Sequence, residues 1–280
     1  MVFRLAAIFC VGALVGLQAA VAQDDDDGSD GGHMREELGV NDTTTPPIQK
    51  LLMDLDSFQP IPMKLVDSND LQATFPNRFQ TALHFGSLIA DGFVIVINER
   101  TQSIQDYGRA LIRQSRALGV GDSLTKRAAS LIDLGQKGDW PRLREELIKT
   151  QGDVERAMMN LHDEEMAHLI SFGGWLRGFQ LALNATADNY TTQRAEGLKR
   201  LDVMSYFMDR LDTLNPRLKQ TPLVSTLISK LKTVYNIASK AGDRPPSQSE
   251  VKDMRDLVNE MEAAAMAKTD DKDDLLNVGE

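Results

Sequence analysis

Cysteine is nearly missing from this chain: 280 residues carry one, Cys10, and it lies in an apolar run at the N-terminus. A thiol so placed excludes a disulfide framework, a thiolate metal site and cysteine catalysis from the chain that follows. A basic stripe is missing too. Lys and Arg number 31 against 41 Asp and Glu, for a net charge of −10, so no surface is available to displace counterions from a nucleic-acid backbone. No Gly-x-Ser-x-Gly elbow and no His-Glu-x-x-His helix occurs, which removes the commonest serine-hydrolase and zinc-protease signatures. The pattern Gly173-Gly174-x-x-x-Gly178 follows no strand and precedes no lysine, so it is not a phosphate loop. After the N-terminal run, the nearest approach to a membrane-spanning stretch is Phe85 to Ile97. Asp91 interrupts it, and no transmembrane segment is expected in the mature chain.

The N-terminal run has the layout of a secretory signal. Arg4 precedes apolar residues from Leu5 to Leu17, and Ala20-Val21-Ala22 stands before an acidic tract, as cleaved export signals do. Residues 1–22 are therefore expected to be removed on export to a periplasm or the extracellular space. Residues 23–45, rich in Asp, Gly and Thr, offer no apolar face to offset the entropy of ordering and read as a disordered acidic leader. Residues 269–280, with acid from Asp270 to Asp274, read as a matching tail.

Between these ends, residues 46–268 read as one all-α domain, an irregular bundle of about eight helices. Pro46-Pro47 opens a short helix, and Pro76 to Glu99 carries Phe79, Leu83, Leu88, Phe93 and Ile97 at helical spacing. Helices over 101–118, ending at Gly119, and over 122–134, ending at Gly135, come next. Asp139-Trp140-Pro141 starts another pattern that runs from Leu143 to about Leu183; a break is expected near Gly152 or Gly173-Gly174. Helices at about 191–213, 221–240 and 248–267 complete the domain, with Ser247 and Glu250 spaced as a capping box.

The chemistry-bearing residues gather in two of these helices. Leu161 to Leu183 holds His162, Glu165, His168 and Arg177 in an otherwise apolar pattern, and Asp91 is surrounded by apolar neighbours in SLIADGFVIVI. A buried carboxylate needs a cationic partner or a proton, and a buried guanidinium needs an anion. The economical arrangement packs the two helices so that Asp91 meets Arg177, or His168 or His162, with His84 on the same face as Asp91. The expected polar core cluster is thus His84, Asp91, His162, Glu165, His168 and Arg177. Ala167, Ser171, Gly174 and Gly178 recur at spacings that form one narrow stripe, a surface for close approach of a second helix.

Glu165-Met166-Ala167-His168 has the Glu-x-x-His spacing by which ferritin-like bundles ligate paired iron or manganese, but no second copy occurs. The favoured function is an exported helical binding or structural protein of the cell envelope, without cofactor, whose partner is an envelope protein or a small ligand. The competing reading is a metal-binding bundle or metal-dependent enzyme that holds a transition-metal ion with His84, Asp91, Glu165 and His168.

Overall fold

The computed structural model describes residues 55–67 and 69–267. The signal, leader and tail segments, and most of the helix expected after Pro46-Pro47, lie outside the described residues. The protein is all-α, with no strand among the described residues. Its helices are α1 (Met63–Asp67), α2 (Arg78–Ile97), α3 (Thr101–Ala117), α4 (Gly121–Lys137), α5 (Trp140–Asn160), α6 (Glu164–Asp188), α7 (Thr192–Gly197), α8 (Leu201–Asp212), α9 (Pro216–Lys219), α10 (Pro222–Lys240) and α11 (Gln248–Met266).

At the centre α2 and α6 pack along one another. On one side α3, α4 and α5 form a consecutive stack that returns to the central pair through α5; on the other, α11 covers both central helices, α10 backs α11, and α8 backs α10. A helix enclosed this way must be apolar all round, and every residue of α2 from Gln80 to Val96 is buried. By length and composition α2 is apolar enough to cross a membrane, contrary to the expectation that no segment of the mature chain would be. Its apolar window is 94% buried against its neighbours, the environment that a central core helix needs.

Helix boundaries follow local chemistry, and four differ from expectation. Helix α2 starts two residues later than Pro76 would place it, because the Asn77 side chain accepts from the Gln80 amide and caps it. Helix α4 runs through Gly135 to Gly138, which takes the left-handed φ of 68° that ends it. Gly135 stays helical since Ile104 of α3 fills the space a side chain would need. The long pattern from Leu143 breaks neither at Gly152 nor at Gly173-Gly174, but at residues 161–163, where His162 adopts φ 53°. The span 191–213 divides into α7 and α8 around residues 198–200. The capping box is present: Glu250 donates its amide to the Ser247 hydroxyl, and the Glu250 carboxylate accepts from the Ser247 amide.

Gly173 and Gly174 remain inside α6 because α2 crosses there. A Cβ on Gly86 of α2 would collide with the Ile170 carbonyl oxygen and come within 2.5 Å of the Gly174 amide nitrogen; a Cβ on Gly173 would collide with the Leu83 carbonyl. Contacting pairs advance together along both helices, from Arg78 with Asp163 through Gly86 with Gly174 to Asp91 with Arg177. The two helices therefore run in the same direction. The close-packing surface is narrower than the expected stripe: Gly174 belongs to it, whereas Gly178 meets only the Leu55 side chain at an ordinary 3.9 Å and Ala167 is half-buried.

Gly86→Ala should lower the unfolding free energy by about 3 kcal/mol or abolish folding, because backbone rather than a flexible side chain stands in the way. Gly152→Ala, with open space around the new methyl group, should stabilise the protein by about 1 kcal/mol. Urea unfolding of the two variants against the parent checks both signs.

Candidate functional site

The Asp91 carboxylate, fully buried on α2, is met by the Arg177 guanidinium of α6, itself 7% exposed. Arg177 Nε donates to Asp91 Oδ1 at 2.7 Å and Nη2 to Oδ2 at 3.2 Å, a two-pronged contact. Its other donors are also engaged: Nη2 gives to the Leu65 carbonyl at 2.7 Å and Nη1 to Gln180 Oε1 at 2.5 Å. Four of the five guanidinium N–H groups are thereby committed. The second Asp91 oxygen also accepts from Asn69 Nδ2 at 2.6 Å, and the Tyr107 hydroxyl, which donates to the Val66 carbonyl at 2.8 Å, stands 3.4 Å from it. Burial holds the Asp91 pKa above its ordinary value, against the opposing pull of Arg177, Asn69 and Tyr107. Burial disfavours the charge on Arg177, and Asp91 more than restores it, so the guanidinium's pKa lies above its usual value.

His84 joins this network through Asn69. Its Nε2 lies 3.3 Å from Asn69 Oδ1; since the Asn69 amide nitrogen is given to Asp91, the oxygen faces the ring and Nε2 is the donor. The ring is then neutral with its lone pair on Nδ1, which has no partner. Burial, reinforced by Arg113 and Arg177 against the opposing pull of Asp70, holds the His84 pKa down to about 4. Phe75 packs edge-on against the ring, with centroids 5.2 Å apart.

Beside this network lies a cavity of about 270 Å³. Its floor is buried and polar: His84 and Ser87 from α2, Arg177 and Gln180 from α6, and Glu262 from α11. Its mouth is formed by Asn69, Asp70, Ala73 and Phe75 of the loop before α2, and by Asn259, Ala263 and Met266 of α11. Gln80 fixes the end of α11 over α2 by donating through its side-chain amide to the Ala265 and Ala267 carbonyls. Gln180 and Asn184 both donate to Asn259 Oδ1 at 3.0 Å, which fixes α11 against α6.

Glu262 is the anomaly in this wall. It is 4% exposed, yet among the described residues its carboxyl has neither an ion-pair nor a hydrogen-bond partner. Burial raises its pKa to about 7; Arg177 opposes that shift and Asp91 adds to it.

Of the residues singled out in the sequence, the structure brings together His84, Asp91 and Arg177, and parts them from the others. His162 is not on α6 but in the exposed connector before it. Glu165, in the first turn of α6, accepts from the Asn215 amide at 2.5 Å and lies about 18 Å along the helix from Arg177. His168 is half-buried near Arg210, and burial followed by that positive neighbour lowers its pKa to about 4. The set His84, Asp91, Glu165 and His168 therefore does not converge on one ion. Among the described residues, no group of three or more His, Cys, Asp or Glu is placed to hold a metal. Sequence reasoning missed Asn69, Ser87, Gln180, Asn259 and Glu262, because each reads as an ordinary polar residue of a loop or helix flank. No family model, curated protein or solved structure matches the chain.

The proton on Glu262 has a measurable signature. Below the unfolded-state value near 4.5, both native and unfolded states carry the proton. Between there and about 7, only the native state keeps it, so this group's contribution to stability falls as pH rises, by about 3 kcal/mol across the window. His84 and His168 act oppositely: they are neutral in the native state down to about 4, so their contribution is lost as pH falls below their unfolded value. Glu262→Gln isolates the first effect. Its stability should match the parent near the low end of the window and exceed it by about 3 kcal/mol above pH 7; parallel pH profiles would contradict the assignment.

Proposed function

We propose that the protein is an exported helical binding protein of the cell envelope that admits a small polar ligand to the cavity between α2, α6 and α11. The observation that carries this reading is the Glu262 carboxyl, buried in the cavity wall without a partner. Buried polar groups are nearly always satisfied, and a buried carboxyl left open beside a cavity is a common mark of a binding site. The volume, at the low end for small-molecule sites, fits a compact ligand better than a segment of a partner protein. Binding is favoured over catalysis because burial holds the His84 pKa down to about 4, which leaves its open Nδ1 a weak proton acceptor. Export rests on the basic residue, apolar run and Ala-Val-Ala site of the first 22 residues.

Ala263 stands exposed at the mouth, so a large side chain there covers the opening without entering the core. Native mass spectrometry of the protein purified from its own compartment should show a small molecule bound to the parent and absent from Ala263→Trp. A ligand-free parent, or the same adduct on both proteins, would contradict the reading.

A further inference from the structure

We infer that the ligand is a small organic cation bearing N–H donors, in the simplest case a primary ammonium, whose charge is met by Glu262 while its apolar part lies against Phe75 and Met266. This rests on the cavity reading above and adds a charge to it.

The inference follows from how the lining distributes its charges. Among the described residues Arg177 is the only cation in the wall; its charge is matched by Asp91, and four of its five N–H groups are committed. An anionic ligand would have to compete for a guanidinium already held by a fully buried carboxylate. On the acceptor side the wall is open. Among the described residues Glu262 offers two carboxyl oxygens with no hydrogen bond, and the Ser87 hydroxyl, also on the floor, makes none. Asp70 at the mouth is already engaged, accepting from the Gln72 amide. With Arg177 and Asp91 cancelling, Glu262 is the acid of the floor left for a ligand to meet, and a cation is the ligand that favours its carboxylate. The remaining amide N–H groups of Asn69, Gln180 and Asn259 suit a hydroxyl or carbonyl elsewhere on the ligand. Phe75 and Met266, both half-buried at the mouth, provide the apolar contact.

A bound cation also resolves the protonation of Glu262. Without a ligand, burial holds the proton on this carboxyl to about pH 7, with Arg177 of α6, Asp91 and His84 of α2 and Asp70 of the preceding loop as the charged and titratable groups around it. An ammonium group favours the carboxylate and releases that proton, so the affinity for a cation rises with pH. A neutral ligand accepting from a protonated Glu262 would show the reverse.

Three probes of equal length separate these cases: n-butylammonium, n-butanol and butyrate, titrated against protein carrying labelled methionine methyl groups, with the Met266 methyl as reporter. Butylammonium should bind about tenfold or more tightly than the other two, and its affinity should increase from about pH 5 to about pH 8.5. Glu262→Gln, which removes a buried charge and should fold, should lose both the preference and the pH dependence, and Ala263→Trp should lose binding. Butanol or butyrate binding as tightly as butylammonium, or an unchanged preference in Glu262→Gln, would overturn the cationic ligand while leaving the cavity reading intact. Absence of a saturable Met266 shift with all three probes would overturn both.

Discussion

The ion pair between Asp91 and Arg177 is the constraint on which the rest of this structure depends. Two apolar helices carry one charge each into the interior, and neither charge is tolerable there alone. Their meeting requires α2 and α6 to lie close and in fixed register, which Gly86, Gly173 and Gly174 allow by bringing backbone against backbone. The same requirement recruits Asn69 and Leu65 from outside both helices, so the chain before α2 is fastened to the core by polar contacts rather than by apolar packing alone.

A committed guanidinium has a second effect, on the neighbouring helix. Helix α11 is drawn onto the central pair by Gln80, Gln180 and Asn184, and that placement buries Glu262 close enough to feel Arg177. Arg177 forms its ion pair with Asp91 and, among the described residues, none with Glu262. One cation thus faces two buried carboxyls and satisfies one of them. The other becomes the open group of the cavity, and the binding proposal grows from that imbalance.

Much of this was legible in the sequence, and the part that was not has physical causes. Asp91 and Arg177 stood out because each interrupts an apolar run, and partnering follows from the cost of burying charge. The all-α class and the Ser247 cap followed from periodicity and short-range hydrogen bonding. The connector at His162 was hidden because a left-handed histidine carries no marker, whereas Gly152 and Gly173-Gly174 look like breaks and are not. In α6 the paired glycines serve a tertiary contact that propensity does not register. Glu262 was hidden for another reason: α11 reads as an ordinary acidic surface helix. Its buried face of Val251, Met254, Val258, Met261 and Ala265 has Glu262 beside it, four positions after Val258, and a helical-wheel count would have placed that carboxyl at the apolar edge. The set His84, Asp91, Glu165 and His168 does not converge because residue type carries no axial position: Glu165 lies about three turns along α6 from Arg177, the residue that Asp91 meets.

The most direct measurement of the central claim is a double-mutant cycle on the ion pair, with Asp91→Leu, Arg177→Met and the combined variant compared with the parent by equilibrium unfolding. Each single replacement strands a buried charge and should cost about 3–5 kcal/mol, and the combined variant should recover most of that loss. Additive losses, or single replacements that each cost less than about 1 kcal/mol, would contradict the account.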